Sequence, residues 1–207
     1  MPNWCYNSLE VSGPERVLQA WANNIDRNAN SMIGFLGTFV TPEYNIAGDD
    51  WYERHLEFWG TKWDVPVNEV RVIFESPSAN KYGFDTAWSP PINWMERVSK
   101  DWPSLDFRLW FEEEGMGFLG YAIAKDGECF VQDAEFPDSD DSLWFLEDDS
   151  DKRDAMEERW EAAVSLQREI CELKVEQEFF DSRGVSERNA EREAESMMIG
   201  DAYDKAE

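Results

Sequence analysis

The sequence has few of the residues that usually carry catalysis, metal binding or disulfide bonds. It contains one histidine (His55), three widely spaced cysteines, and 19 basic residues against 45 acidic ones. Three cysteines spaced so widely form no disulfide framework, which favours a reducing, cytoplasmic environment. His55 has no cysteine or histidine neighbour at ligand spacing, so we expect no metal site and no cofactor. Cys5 lies in an apolar alternating segment and is expected in the core rather than as a nucleophile.

Long apolar runs are also missing, since none approaches the roughly 20 residues that a membrane-spanning helix needs. The formal net charge is -26. A surface this acidic repels both the phosphates of nucleic acids and anionic membranes. Neither a phosphate-binding glycine loop nor a serine nucleophile motif occurs. The composition therefore predicts a soluble protein that contacts neither nucleic acid nor membrane directly.

Aromatic residues are abundant instead, with 11 Trp, 13 Phe and 6 Tyr. So many rings can bury a substantial core. The acidic residues are concentrated toward the C-terminus: residues 1–132 have a net charge of -10 and residues 133–207 a net charge of -16. We therefore expect a globular domain over residues 1–132, an acidic linker over 133–149 and an acidic helical extension over 150–207.

The hydrophobic pattern predicts an α+β fold. Trp4 to Ser12 alternates as a strand does, and Ser12 to Glu15 can end that strand and begin a helix. A second helix is expected after Pro90-Pro91. Further strands are predicted over residues 69–75, 81–88, 105–111, 117–125 and 129–131. The order β-α-β-β-α-β with an added hairpin is ferredoxin-like, an antiparallel sheet with helices on one face. Residues 28–67 are rich in glycine and proline and are predicted to be an irregular insertion.

The extension is predicted to begin with one long helix, from Ser150 to Phe180. Its apolar stripe consists of Met156, Trp160, Ala163, Val164, Ile170 and Leu173. A second helix is expected after Ser186, with Ala190, Ala194, Met197 and Met198 on its apolar side. No heptad pattern runs through three repeats, so packing against the domain is favoured over a dimer seam or a partner-binding arm.

Four motifs stand out: MPNWCYNSLEVSG at residues 1–13, WGTKWD at 59–64, FDTAWSPP at 84–91 and EEGMGF at 113–118. Together they resemble a family of phage- and plasmid-encoded proteins known as Api-like proteins with a ferredoxin-like domain. The resemblance covers residues 1 to about 132. It implies a ferredoxin-like fold and an origin in a mobile genetic element, and it implies no catalytic role.

The motifs contain charged side chains among tryptophans, which makes them a possible site. The set comprises Trp59, Lys62, Trp63, Asp64, Asp85, Trp88 and Glu114. A lysine or a carboxylate held beside indole rings is a candidate general acid or base. We favour a structural interpretation, in which ring packing, a salt bridge and indole N–H bonds hold the loops in place. Glu112, Glu113 and Glu114 are expected to form an exposed strand end rather than a cation site.

Two classes of function stay open. The favoured one is a non-enzymatic protein that binds a basic host defence protein, such as a restriction nuclease or a CRISPR-type effector, and acts as a DNA mimic in its nucleic-acid-binding cleft. The residues expected to bind that partner are Asp138, Asp140, Asp141, Trp144, Phe145, Glu147, Asp148 and Asp149. The alternative is a small-ligand binder or an enzyme that uses the Trp-lined region around Lys62, Asp85 and Glu114. The sequence does not indicate an oligomeric state.

Overall fold

The structure is a computed structural model that describes residues 3–28, 32–44, 49–137 and 150–184. In the last of these ranges the side chains are described from residue 157 onward. The strands are β1 (Trp4–Ser12), β2 (Arg71–Glu75), β3 (Ala79–Ala87), β4 (Asp106–Glu113), β5 (Phe118–Lys125) and β6 (Glu128–Glu135). The helices are α1 (Glu15–Asn28), α2 (Phe35–Phe39), α3 (Trp51–Trp59), α4 (Ile92–Asp101) and α5 (Ser150–Ser182).

The six strands form one antiparallel sheet in the order β2-β3-β1-β4-β5-β6. Helix α1 follows β1, and α4 joins β3 to β4. The four strands β2-β3-β1-β4 therefore have the ferredoxin-like arrangement. The hairpin β5-β6 widens the sheet beyond β4. This confirms the predicted α+β fold and its ferredoxin-like sheet.

Helices α1, α2 and α4 pack on one face of the sheet, which we call the inner face. Alternate residues of β1 point to it, and Leu9 is fully buried there. Trp21 of α1 and Trp94 of α4 are also fully buried, and the Trp21 ring stacks on Phe39 with centroids 3.7 Å apart. Rings of this size supply most of the apolar area that the inner core removes from water.

Helix α5 packs on the opposite, outer face, against β5 and β6. Leu119, Tyr121 and Ile123 of β5 contact Val164 and Cys171 of α5, so the long helix does pack on the domain as expected. The contact side of the helix differs from the predicted stripe. It also includes Val175 and Phe179, whereas Leu173 is 59% exposed.

The difference has a geometrical cause. Leu173 is two residues from Cys171, and residues two apart lie on opposite sides of a helix. The predicted second helix after Ser186 lies outside the described residues, as does the side chain of Met156. None of the helices in the described ranges has the length and apolar content of a membrane span.

Two other segments are more regular than the sequence suggested. The insertion over residues 28–67 contains α2 and α3, and α3 ends at Gly60, whose φ of 82° only glycine adopts readily. Strand β6 continues to Glu135, past residue 132, because Asp133 and Glu135 still pair with β5. Strand β6 can contain these acidic residues because it is an edge strand of the sheet.

The packing of α5 predicts that one charged substitution will release the helix while a near neighbour will not. Val175→Asp places a carboxylate at a fully buried position and should lower the free energy of unfolding by about 3 kcal/mol. The matched variant Leu173→Asp, at an exposed position of the same helix, should change it by less than about 0.5 kcal/mol. Urea denaturation measures both. Equal effects of the two variants would contradict the packing of α5 described here.

Candidate functional site

Three motif residues form a cation–aromatic cluster at one end of the sheet. The Lys62 ammonium lies 4.6 Å from the centroid of the Trp63 ring and 4.5 Å from that of Trp88, with Tyr52 at 5.9 Å. Trp88 has a φ of 70°, which is uncommon for a residue other than glycine. The Trp88 N–H donates to the Asn3 carbonyl at 3.0 Å. The backbone thus holds the Trp88 indole against Lys62, whose ammonium interacts with the ring faces.

Asp64, from the same motif, is a structural anchor. Its carboxylate accepts backbone N–H bonds from Gly34, Leu36, Gly37 and Val65 at 2.8–3.1 Å. Burial raises the pKa of Asp64, and the four N–H donors oppose that shift. A Cβ atom at Gly34 would lie 2.4 Å from the Asp64 carboxyl carbon, so glycine makes this approach possible.

Trp59 and His55 tie α3 to its surroundings. The Trp59 indole N–H donates to the Val40 carbonyl at 2.7 Å, and the His55 ring lies 4.3 Å from the Trp59 ring. His55 Nδ1 is 2.7 Å from the Lys62 carbonyl oxygen, which can only accept, so Nδ1 carries the proton. His55 Nε2 is hydrogen-bonded to the Tyr44 hydroxyl at 2.8 Å. Both nitrogens of His55 are therefore engaged.

Asp85 and Glu114 lie apart from Lys62. Asp85 is exposed on the outer face of β3, opposite Tyr6 of β1, and Glu114 is exposed in the turn after β4. Within the described ranges, the structure shows no ion pair between Lys62 and either carboxylate. The structure thus brings Lys62, Trp63 and Trp88 together and leaves Asp85 and Glu114 outside that cluster.

The glutamates at the end of β4 differ from the exposed strand end that the sequence predicts. Glu113 is 2% exposed, and its carboxylate accepts the N–H groups of Gly115, at 2.9 Å, and Met116. Because these two donors lie two and three residues after Glu113, its carboxylate closes the turn. The described residues contain no cluster of His, Cys, Asp or Glu able to hold a metal ion.

The three cysteines are not activated nucleophiles. Burial raises the pKa of Cys5 to about 12 and that of Cys129 to about 12. Burial also raises the pKa of Cys171. Cys5 is fully buried in the inner core, as the alternating pattern of β1 predicts. At neutral pH all three are thiols.

A surface that the sequence analysis missed lies on the outer face, beside α5. Because α5 covers β5 and β6, the outer side of β1, β3 and β2 stays uncovered in the described structure. We call this surface the open face. The side chains on it include those of Trp4, Tyr6, Glu10, Arg71, Ile73, Phe74, Lys81 and Asp85.

Apolar side chains are prominent on the open face. Trp4 is 53% exposed, Ile73 50% and Phe74 41%. A Cβ atom at Gly83 would lie 3.3 Å from Ile73 Cδ1 and 3.4 Å from the Tyr6 hydroxyl, so both side chains lie over Gly83.

A β-bulge in β2 places these apolar side chains on the open face. Val72 pairs with Tyr82 and Phe74 pairs with Lys81, which leaves Ile73 as the extra residue. Phe74 shares the side of Lys81 because residues that oppose each other point to the same face. Ile73 and Phe74 are therefore both on the outer face. Three consecutive apolar residues in one short strand were the signal for this surface in the sequence.

The open face continues into the cation–aromatic cluster at one end. The Trp4 ring lies 6.2 Å from the Trp63 ring. The turn after β4 is close as well, since a Cβ atom at Gly115 would lie 2.7 Å from the Asn3 side chain. The partner-binding set predicted from the sequence, Asp138 to Asp149, lies outside the described residues. Its first residue follows Pro137, two residues after the end of β6.

The anchoring role of Asp64 predicts a loss of stability that an exposed aspartate does not share. Asp64→Ala leaves four backbone donors without their acceptor and should lower the free energy of unfolding by about 3 kcal/mol. Asp64→Asn keeps one acceptor oxygen and should cost about half as much. The exposed Asp85→Ala should cost less than about 0.5 kcal/mol. Urea denaturation gives the three values, and an Asp64→Ala cost no larger than that of Asp85→Ala would contradict the assignment.

One family model agrees with the fold. The family model described as the ferredoxin-like domain in Api92-like protein matches residues 58–161. A crystal structure of protein api92 from Yersinia pseudotuberculosis is similar over 67% of this chain and 99% of that chain, with 10% sequence identity and a TM-score of 0.44. No curated protein matches the chain.

Proposed function

The chain belongs to the family of Api92-like proteins with a ferredoxin-like domain, and from that premise we propose that it is a non-enzymatic protein that binds a basic partner protein through its open face. The proposed partner is a nucleic-acid-binding defence protein of the host, such as a restriction nuclease or a CRISPR-type effector. The protein acts as an anti-restriction or anti-CRISPR inhibitor of a phage or plasmid, in the cytoplasm of the host cell.

The observation that carries this proposal is the set of exposed aromatic and apolar side chains on and beside the open face, namely Trp4, Trp63, Ile73 and Phe74. Large apolar side chains gathered on one exposed surface mark interaction sites. Tryptophan is also among the residues that contribute most to binding energy at protein interfaces. A surface of this kind fits a protein partner better than a small ligand, because the open face is broad.

The charge of the chain supports a basic partner. The net charge is -26, and residues 138–149, which follow Pro137 at the Trp63 end of the sheet, contain six acidic residues and no basic one. B-DNA carries one charge per about 1.7 Å, so 26 charges correspond to at most about 44 Å of duplex. A negative charge of this size is complementary to the basic clefts in which nucleases bind DNA.

Several candidate catalytic groups support a non-enzymatic role because they are engaged in holding the structure, while Asp85 and Glu114 are exposed and lie outside the cluster around Lys62. Lys62 lies between two indole rings, and Asp64 accepts four backbone N–H groups. Both nitrogens of His55 are hydrogen-bonded, and burial keeps the pKa of Cys5 at about 12.

Inhibition of DNA cleavage tests the proposal. The full chain is added to a panel of restriction nucleases and CRISPR-type effectors cutting plasmid DNA at about 100 mM salt. We expect at least one enzyme to be inhibited, and the inhibition to weaken tenfold or more at about 500 mM salt. Ile73→Lys should relieve it because it places a positive charge on the open face. The control Leu173→Lys, on the exposed side of α5, should not.

Two results would count against the proposal. One is the absence of inhibition of any enzyme in the panel, together with the absence of a stable complex in gel filtration at low salt. The other is inhibition that Ile73→Lys and Leu173→Lys reduce equally, since that would indicate bulk charge rather than the open face.

A further inference from the structure

The two edges of the sheet differ in how well they can pair with a further strand. Strand β2 has five residues and contains the bulge at Ile73, which disrupts pairing along that edge. Strand β6, at the other edge, has eight residues, none of them proline or glycine, and it pairs with β5 without a shift in register. A long, regular edge of this kind is a template for an added strand.

Every second residue of β6 directs its backbone groups away from the sheet. The turn between β5 and β6 consists of Asp126 and Gly127, both with positive φ, so Lys125 and Glu128 form the first hydrogen-bonded pair of the hairpin. Bonded and non-bonded pairs then alternate along the antiparallel ladder. The residues whose N–H and C=O groups point outward are therefore Cys129, Val131, Asp133 and Glu135.

These outward groups are largely available to a new strand. Within the described ranges, one side chain reaches them: the Gln132 amide donates to the Asp133 carbonyl at 2.9 Å. The other outward N–H and C=O groups recur about every 7 Å over a length of about 20 Å. An extended segment laid along β6 can form the next ladder of hydrogen bonds with them, as in β-augmentation.

The side chains of the same residues determine which strand fits. Cys129 packs against the inner core, so Val131, Asp133 and Glu135 also lie on the inner side of β6. Val131 is 41% exposed, and the two carboxylates are exposed as well. Residues directly opposite each other in an antiparallel pair share one side of the sheet and interact. The matching strand therefore has lysine or arginine opposite each carboxylate and a β-branched residue opposite Val131.

The charge along β6 is acidic. The strand contains Glu128, Asp133 and Glu135 and no basic residue. Burial raises the pKa of Cys129 to about 12 and the charge of Glu96 adds to the shift, so Glu96 of α4 is near the inner side of β6 as well. The salt bridges of the described residues do not include Asp133 or Glu135.

Two lysines border β6 without covering this part of the edge. Lys100 lies against Gly127, at the turn end of the strand. Lys174 belongs to α5, which packs on the outer face, and its charge opposes the rise in the pKa of Cys171 that burial causes. Neither lysine is on the inner side of the half of β6 that ends at Glu135.

The acidity of the rest of the chain disfavours this chain itself as the added strand. Residues 138–149 contain six acidic residues and no basic one, and residues 185–207 contain seven acidic residues against three basic ones. A second copy has the same acidic β6 and a net charge of -26. Charged side chains on an edge discourage pairing with strands of the same charge, whereas opposite charges across a pair are favourable.

We propose that the edge of β6 binds an extended, lysine- or arginine-containing segment of a partner protein, which joins the sheet as a seventh strand. Backbone hydrogen bonds hold the segment, while Asp133 and Glu135 select its basic residues. This inference goes beyond the proposed function, because β6 and β2 are opposite edges of the sheet and β6 is not part of the open face.

A synthetic peptide tests the inference without the partner. The probe is the fluorescently labelled peptide Thr-Lys-Thr-Lys-Thr-Val-Thr-Val-Thr, and its binding to the full chain is followed by fluorescence anisotropy at about 150 mM salt. One control is the same peptide with N-methyl groups on both valines, which keeps the charge and removes two backbone donors. The other control has glutamate in place of lysine. We expect one peptide to bind per chain, at least about tenfold more tightly than either control.

Variants of β6 locate the bound peptide. Val131→Pro should weaken binding about tenfold or more, because it removes an outward N–H, and proline is tolerated on an edge strand where that N–H faces solvent. The control Val131→Thr keeps the N–H and a β-branched side chain, and it should change binding less than about twofold. Asp133→Asn combined with Glu135→Gln should weaken it about threefold to tenfold. Circular dichroism checks that each variant is folded.

Amide hydrogen exchange gives a readout that needs no variant. In the free chain the amides of Val131 and Asp133 should exchange faster than those of Gln132 and Ala134, which donate to β5. The peptide should slow exchange at Val131 and Asp133 about tenfold or more, because both amides then have an acceptor. Unchanged exchange at both residues in the presence of saturating peptide would contradict the inference.

Other outcomes would also overturn it. Equal binding of the N-methylated peptide would show attraction by charge alone, and binding unaffected by Val131→Pro would place the peptide elsewhere. A dimer in sedimentation velocity that Val131→Pro dissociates would make a second copy the occupant. Binding that appears only after removal of residues 185–207 would make that segment the occupant. If nucleases are inhibited through the open face and the peptide does not bind, the inference fails while the proposed function stands.

Discussion

The two-sidedness of the antiparallel sheet governs the rest of the structure. Alternation along each strand sends one set of side chains to the inner face and the other to the outer face. On the inner face, α1, α2 and α4 cover a core rich in large aromatic rings. On the outer face the described chain supplies one helix, and α5 is wide enough to cover only β5 and β6. A sheet of six strands is too wide for one helix to cover. The open face is the part of the outer face that α5 leaves uncovered.

The residues of the four family motifs mainly stabilise this architecture. Asp64 fixes the start of α2, Trp59 joins α3 to Val40, and Glu113 closes the turn between β4 and β5. Asp64 directly follows Trp63 in the chain, and the turn that Glu113 closes lies beside Asn3, which precedes Trp4. The motifs thus hold rigid the loops that present the exposed rings. Aromatic side chains on a rigid support lose little conformational entropy on binding, which suits them to anchor a protein partner.

Local patterns in the sequence predicted the strands well, because alternation is strong in β1, β4 and β5. Strand β1 was predicted with the bounds that it has, Trp4–Ser12. The long helix was also predicted, whereas its contact side was not. Leu173 is the more apolar residue, but the fixed periodicity of α5 places Cys171 on β5 instead. Residue type alone does not determine which side of a helix faces its neighbour.

The candidate site could be predicted only in part. The sequence identified Lys62, Trp63 and Trp88, which do meet, because tryptophans near a charged residue are conspicuous. It did not identify the open face, because that surface depends on long-range facts: the order of strands, the half that α5 covers and the bulge at Ile73. A bulge changes the side to which a side chain points without changing the composition of the strand.

Hydroxyl-radical footprinting of the full chain, alone and with a nuclease that it inhibits, tests the open face as the binding surface most directly. The account predicts that oxidation of Trp4, Trp63 and Phe74 falls severalfold in the complex. Oxidation of Leu166 and Leu173, which are exposed on α5, should stay unchanged. Unchanged oxidation of the three aromatic residues in a complex that forms and inhibits would contradict the account.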